Sequence, residues 1–279
     1  MPVGAADVDN PKRPVRGQAC DFRGDTAKAA YIAVAASRVC GWTYGVSGTL
    51  RVKLVVLRLF QLGVCVTSAA PLTCDHTLLF SPAYEALKTD LAASGEAVQV
   101  LVSEGVGLGP FRSHTTALWD WCPHDVSVAL DLIGASPRQV DALGCPGDAP
   151  EQLSLRLDFP GGASAWIHAG RLSPQRRRTL SVMTERHLYA LDEHAEERVT
   201  VTPFSFARRH EQGAPDASKR RVVPPASARL PLANAVTYFL DGLAGGDRSR
   251  FGTALALEVT RVLAACEAAL RARKETAGT

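Results

Sequence analysis

The segment Gln152–Phe159 alternates apolar and polar residues, a pattern typical of a strand with one buried face. Pro160-Gly161-Gly162 follows and predicts a tight turn, after which Ala163–Leu172 returns as the partner strand. A hairpin of this kind pairs its two strands antiparallel. Shorter strands are predicted at Val98–Glu104, Thr179–Met183, His187–Leu191 and Arg198–Pro203. Residues 98–203 therefore predict a largely antiparallel sheet.

The segment Leu118–Gly134 predicts a helix that packs on this sheet. Asp120 is placed to cap its N-terminus by accepting hydrogen bonds from the free amides of the first turn. Gly134 is a suitable C-terminal stop, with Pro137 close behind it. The apolar residues recur at intervals of three and four, the period of a helix with one buried stripe, at Val126, Ala129, Leu130 and Ile133.

Asp120 and His124 lie four residues apart, so the start of a helix places both side chains on one face. There they can share a proton or a substrate hydroxyl. The helix N-terminus disfavours an imidazolium whereas a nearby carboxylate favours it, and these opposing effects suit His124 to act as an acid or a base. The spacing alone also allows a structural role, in which Asp120 only caps the helix and His124 only packs in its first turn.

Three further helices are predicted from the same periodicity. The first begins at Ser81 or Pro82 and ends at Gly95. Near the end of the chain, Pro231–Ala244 and Phe251–Arg273 each carry an apolar stripe. Such stripes are more often core than cofactor site, so both helices are predicted to pack into the core.

The composition is that of an ordinary water-soluble protein, with 279 residues, of which 46% are hydrophobic and 21% charged. A net charge of +3 and basic clusters without interleaved aromatic residues do not indicate a nucleic-acid partner. The seven cysteines form no CxxC pair, which indicates reduced thiols and a cytoplasmic protein. The N-terminal residues lack the apolar core of a signal peptide. Charged residues interrupt the longest apolar stretch, Leu50–Thr67, so no membrane span is expected.

The glycine-rich segment Gly105–Pro110 follows a predicted strand but does not match a dinucleotide-binding turn. Its spacing is GxGxG, and a proline rather than a helix comes next. A phosphate-binding role is therefore not expected there. His114, Cys122 and His124 follow no recognised metal-ligand spacing, and no metal site is expected.

Several motifs together resemble the Gfo/Idh/MocA family of oxidoreductases. They are DHTLLFSPAYEALK, SEGVGLGPFR, LWDWCPHDVSVALDLIG, the strands SPQRRRTLSV and RHLYALDE, and the C-terminal pair PLANAVTYFLDGL and RFGTALALEVTRVLAACEAAL. The resemblance covers about residues 72–272 and rests chiefly on the DHT, GPFR and WDW-x-PHD motifs. It implies an α/β or α+β fold in two parts. Residues 1–74 would form an incomplete or divergent Rossmann-like region, and residues 75–279 a mostly antiparallel open-sheet domain for substrate binding and oligomerisation.

The resemblance also implies an activity, the NAD- or NADP-dependent transfer of a hydride to or from a sugar-like or other hydroxylated small molecule. His124 matches the active-site histidine of the family, which moves the hydroxyl proton, and Asp120 matches the acidic residue one turn before it. Asp75 and His76 follow a predicted strand, where ligand crevices open in α/β sheets, although packing or capping is an alternative role for them. Substrate-binding positions are thus expected at Asp75, His76, Arg112 and Trp121.

Two features of the family have no counterpart in this chain. Residues 1–71 contain no GxGxxG turn, and the sequence contains no Glu-Lys-Pro, the stretch that supplies the catalytic lysine of the family. The residues that would bind the cofactor therefore remain unassigned. Three explanations are open: a truncated or frame-shifted N-terminus, a relative that binds something other than a dinucleotide, or a substrate half that works beside another subunit. The alternative function is a non-catalytic relative that binds ligands or forms oligomers.

The open sheet also bears on assembly. A broad apolar face seldom stays in contact with water. The resemblance therefore predicts a homodimer or homotetramer formed through the open sheet. A small-molecule substrate is the other expected partner.

Overall fold

The structure is a computed structural model that describes residues 73–147, 149–211, 216–250 and 252–277. Nearly all of the predicted Rossmann-like region 1–74, including the apolar stretch Leu50–Thr67, lies outside the described residues. Within the described residues, no helix is long and apolar enough to cross a membrane.

The helices begin and end largely where the sequence predicts. Ser81 accepts a hydrogen bond from the Tyr84 amide at the start of the first helix, and Gly95 closes that helix with a φ of 67°. Gly134 closes the third helix in the same way, with a φ of 71°. The α-helices of the described residues are α1 (Pro82–Ser94), α2 (Ala117–Asp120), α3 (Cys122–Ile133), α4 (Pro231–Leu243) and α5 (Ala254–Ala277).

The strands form one eight-stranded sheet in the order β2-β3-β4-β1-β5-β6-β7-β8. β1 pairs parallel with β4, and every other neighbouring pair in this sheet is antiparallel. The predicted mixed α/β class and the largely antiparallel open sheet are confirmed, whereas β2 and β8 are strands that the sequence pattern did not indicate. The strands are β1 (Val100–Leu108), β2 (Gln139–Gly144), β3 (Gln152–Asp158), β4 (Ser164–Gly170), β5 (Leu172–Met183), β6 (His187–Asp192), β7 (Val199–Pro203) and β8 (Arg221–Val222).

The two faces of the sheet have different surroundings. Helices α1, α3 and α5 pack against one of them, the covered face. Alternate residues of the strands point to this face and form the core, among them Leu101, Leu155, Leu157, Ile167, Val182, Tyr189 and Val201. The opposite face, the open face, exposes apolar side chains, among them Val102 and Trp166.

One helix departs from the predicted core packing. Leu232, Val236 and Leu240 of α4 are exposed, whereas Ala235 is buried in the core, so the prediction that this stripe is core is confirmed for Ala235 and wrong for the other three. The helix packs through another side instead, where the rings of Tyr238 and Phe80 lie 5.5 Å apart. The stripe of α5 does enter the core as predicted, through Val259, Val262, Leu263 and Cys266.

Candidate active site

The first turn of α3 lies over β1 on the covered face. Gly107 makes this approach possible, because a Cβ atom at that position would lie 3.2 Å from the indole ring of Trp121. Gly105 and Gly107 are thus strand residues whose missing side chains leave room for groups above the sheet. The strand prediction that ended at Glu104 was too short, since β1 continues to Leu108.

Asp120 does not cap α3, which corrects the sequence prediction. Asp120 is the last residue of α2, and α3 begins after Trp121, whose side chain makes no capping hydrogen bond. The carboxylate turns to the preceding loop, where its Oδ2 lies 3.0 Å from Nε of Arg112. The structure therefore brings together two of the predicted site residues, Asp120 and Arg112, as a half-buried ion pair.

The loop of residues 109–116, which carries Arg112, is hydrogen-bonded to a buried arginine. The side chain of Arg171 is fully buried, and its Nη2 donates to the Thr115 carbonyl at 2.8 Å. Its Nη1 donates to the Pro110 carbonyl at 3.3 Å, and its Nε lies 2.9 Å from Glu151 Oε2. Because the Arg171 guanidinium binds both ends of the loop, it fixes the backbone from which the Arg112 side chain reaches Asp120.

His124 occupies the first turn of α3 with a half-buried side chain. Its backbone is fixed at both ends: the amide donates to the Trp121 carbonyl at 3.3 Å, and the carbonyl accepts from Ser127 Oγ at 2.8 Å. The imidazole of His124 therefore extends from a fixed part of the helix.

Asp75 and His76 lie on the segment that leads into the 3-10 turn Thr77–Phe80, which packs against α3 and α4. His76 is buried, and Oδ2 of Asp75 accepts a hydrogen bond from Thr77 Oγ1 at 3.1 Å. The bond to Thr77 joins two side chains and is not a capping bond to a backbone amide.

The sequence analysis missed the most deeply buried charge beside His124. The Asp125 side chain has no exposed surface and accepts hydrogen bonds from Ser103 Oγ at 2.6 Å and from Arg178 Nη1 at 2.9 Å. A Cβ atom at Gly105 would overlap the Arg178 guanidinium and lie 2.9 Å from Asp125 Oδ2. The available signal was the pair of glycines at alternate positions of a strand, which marks a close approach of another group.

Thiol chemistry is not available at this helix start. Burial, and then the negative charge of Asp125, raise the pKa of the Cys122 thiol well above its ordinary value, so the nucleophilic thiolate is not formed near neutral pH. Within residues 73–147, 149–211, 216–250 and 252–277, no group of three or more His, Cys, Asp or Glu side chains is arranged to hold a metal ion.

The glycine-rich segment does not fit the pyrophosphate of a dinucleotide. Phosphate-binding glycines leave backbone amides open at the start of a helix. Here the space above Gly105 is filled by Arg178 and the space above Gly107 by Trp121, within a hydrogen-bonded strand. The segment is therefore a packing surface, and no cofactor contact is assigned to it.

No protein-family model and no curated protein matches this chain. Solved structures do match. A presumed oxidoreductase from Magnetospirillum magnetotacticum is 29% identical, with a TM-score of 0.61 over 78% of this chain and 68% of that one. UDP-N-acetylglucosamine 3-dehydrogenase from Acidithiobacillus ferrooxidans is 18% identical, with a TM-score of 0.65 over 82% of this chain and 78% of that one. A 3-ketoreductase from Actinomadura kijaniata, solved with NADP, is 13% identical, with a TM-score of 0.57 over 78% of this chain and 66% of that one.

These neighbours are oxidoreductases, and the likeness shows that this chain shares their mixed α/β fold. One of them acts on a nucleotide sugar, and another was solved with NADP. That substrate and that cofactor belong to the neighbours.

Proposed function

We propose that this chain binds a sugar-like or other hydroxylated small molecule and takes part in its NAD- or NADP-dependent oxidation or reduction. The observation that carries the proposal is the Arg112–Asp120 ion pair one turn before His124, on a fold shared with oxidoreductases. A carboxylate and a guanidinium in contact, with an imidazole four residues further along the chain, suit a substrate with several hydroxyl groups, because each can bond to an oxygen or its proton.

The roles follow from the chemistry of each group. The His124 ring accepts the proton of the reacting hydroxyl when the substrate is oxidised and returns it when the substrate is reduced. Asp120 accepts a hydrogen bond from a neighbouring hydroxyl, while Arg112 fixes that carboxylate and can donate to a substrate oxygen. Trp121 offers an apolar ring edge to the carbon skeleton. A bound nicotinamide supplies or accepts the hydride, and no residue of the described part is assigned to holding it.

A non-catalytic ligand-binding or oligomerisation module is the second candidate. One observation favours it: the glycine-rich segment beside the site is filled by Arg178 and Trp121 and does not receive a phosphate. The two candidates differ in one measurable respect, because only the first requires turnover with a nicotinamide cofactor.

We also propose that copies of the chain assemble through the open face as a homodimer or homotetramer. Val102 and Trp166 are direct neighbours across β1 and β4 on this face, and each is nearly half exposed. The guanidinium of Arg156 lies 5.3 Å from the Trp166 ring centre and extends the patch onto β3. A tryptophan beside an apolar side chain and an arginine is a combination typical of protein interfaces.

The activity is tested on the full chain with NADH, NADPH, NAD and NADP against a panel of sugars and polyols. We expect saturable cofactor binding at micromolar concentration, seen as quenching of nicotinamide fluorescence, and turnover of at least one compound. His124→Gln should lower kcat by roughly 100-fold or more, the usual contribution of general acid–base catalysis, with cofactor affinity unchanged.

His194→Gln is the matched control, because His194 is exposed in the turn after β6 and should not affect turnover. No cofactor binding up to millimolar concentration and no turnover would reject the oxidoreductase and leave the binding module. Equal losses in both histidine variants would instead show that His124 has no special part in catalysis.

A further inference from the structure

Asp125 and His124 are neighbours in the first turn of α3, yet their side chains have different surroundings. The Asp125 side chain is fully buried against the sheet, whereas the His124 side chain is half-buried. The residue that follows His124 in the chain therefore carries the most buried carboxylate of α3.

The carboxylate of Asp125 is bound from two strands. Ser103 of β1 donates to Oδ1 at 2.6 Å, and Arg178 of β5 donates from Nη1 to both oxygens at 2.9 Å. Gly105 lies between them in β1, and any side chain there would overlap the guanidinium. Asp125, Ser103, Gly105 and Arg178 thus form one arrangement across three elements, which we call the Asp125 clamp. Its contacts require one position of α3 over the sheet.

The start of α3 also packs through apolar side chains, since Cys122 and Val126 are fully buried. A cavity of about 20 Å³ remains beside the clamp, lined among others by Leu78, Asp125, Val128 and Arg178. This pocket is partly open and has room for about one water molecule. The hydrogen bonds of the clamp add a directional constraint to the apolar contacts, because they weaken when the helix shifts or rotates.

We propose that Asp125 is a positioning residue, which together with Ser103 and Arg178 sets the direction of the His124 ring toward the substrate. The inference rests on the proposed function of His124. A buried ion pair adds little net stability compared with apolar side chains of the same volume, whereas it fixes geometry. The clamp lies one residue from His124, which must meet the reacting hydroxyl. A fixed helix position there would keep the His124 ring correctly oriented for the reaction.

The test compares Asp125→Asn with Asp131→Asn in the full chain. Asp131 is a matched control, since it lies farther along α3 and its carboxylate accepts hydrogen bonds from Lys88 Nζ at 2.7 Å and from the Tyr84 hydroxyl. Ser103→Ala is a milder second variant that keeps the ion pair and removes one hydrogen bond, in case Asp125→Asn does not fold. The readouts are the NMR signals of the histidine rings, with His124 assigned from the spectrum of His124→Gln, and the separate values of kcat and KM.

We expect Asp125→Asn to move the His124 ring signals and to lower kcat roughly 10- to 100-fold, the usual cost of a misplaced catalytic group, with KM changed less than about two-fold. Ser103→Ala should do the same to a smaller degree, and Asp131→Asn should lower the melting temperature without moving the His124 signals. Equal effects of the two aspartate variants on the His124 signals would overturn the proposal. If the unmodified protein shows no turnover, the proposed function fails, and the NMR comparison alone decides whether Asp125 positions His124.

Discussion

Each face of the sheet contains exceptions to the common distribution, in which apolar side chains are buried and charged ones are exposed. The covered face contains charge, since Asp125 is fully buried against Arg178, whose side chain is 20% exposed. The open face presents apolar groups to solvent, with Val102 46% and Trp166 47% exposed. Buried charge is tolerated where it is paired and hydrogen-bonded, and exposed apolar surface is typical where a partner covers it. The helices of the chain complete the covered face, and a second copy of the chain is proposed to complete the open one.

The largest effect is expected from breaking the pair on the covered face. Asp125→Ala leaves the Arg178 guanidinium without its carboxylate in a largely buried position. Removal of one partner of a buried pair costs about 3–5 kcal/mol of the free energy of unfolding. Urea denaturation followed by circular dichroism measures this loss.

The double variant Asp125→Ala/Arg178→Met separates the two possible causes of that loss. It removes both charges and fills part of the space with an apolar side chain, so most of the stability should return. If the double variant is as unstable as the single one, lost packing and not an unpaired charge is responsible, and the description of the covered face as a paired-charge surface is wrong.

A smaller effect, on assembly and not on folding, is expected on the open face. Trp166→Glu places a negative charge at the centre of the exposed patch beside Val102. Loss of a central interface tryptophan weakens association by about 2 kcal/mol or more, and size-exclusion chromatography with light scattering should show the oligomer dissociating. The free energy of unfolding of the monomer should change by about 0.5 kcal/mol at most, as for other surface substitutions.

Leu240→Glu is the matched control for this interface, because Leu240 is an exposed apolar residue on α4 rather than on the sheet. It should leave the oligomer intact. An oligomer that dissociates with Leu240→Glu but not with Trp166→Glu would assign the interface to α4, and a monomer before any substitution would remove the proposed role of the open face.

Much of the covered face follows from local patterns in the sequence. The helix that ends at Gly134 and the hairpin around Pro160-Gly161-Gly162 were predicted because the periodicity and the turn residues act over a few neighbours. The hydrophobic pattern could not identify the Asp125 clamp, because its members are brought together from β1, α3 and β5 only by the folded sheet.

The prediction that Asp120 caps α3 failed for a related reason. A capping role was read from the sequence neighbours of the residue, whereas the carboxylate is drawn to Arg112 on the preceding loop. The exposed stripe of α4 could not be foreseen either, since periodicity shows that a helix has an apolar side but not what covers it. Residues 1–72 lie outside the described structure, and the expectations for them stay predictions.

The smallest effect is expected from an exposed ion pair with the same chemistry as the buried one. Arg221 of β8 donates to both carboxylate oxygens of Asp90 on α1, at 2.8 Å and 2.5 Å, and the Arg221 side chain is 52% exposed. Asp90→Ala should cost at most about 1 kcal/mol, because water and salt screen an exposed pair. Asp90 lies in the interior of α1 and Asp125 in the first turn of α3, so the comparison of the two variants includes helix position as well as burial.

The pH dependence sharpens this comparison further. The hydrogen bond from Arg221 lowers the pKa of Asp90 below its ordinary value of 3.8, so the pair stabilises the folded protein above that value. As the pH falls from about 3.8 through the lower pKa of the folded state, Asp90 becomes protonated and this contribution is lost. The stability difference between the unmodified protein and Asp90→Ala should therefore be full at pH 7, shrink at 0.5 M salt, and disappear in strong acid, as urea titrations at each condition would measure. A stability difference that changes with neither salt nor pH would mean that Asp90 acts through packing. The contrast between the exposed and the buried arginine–aspartate pair could then not be attributed to screening by solvent.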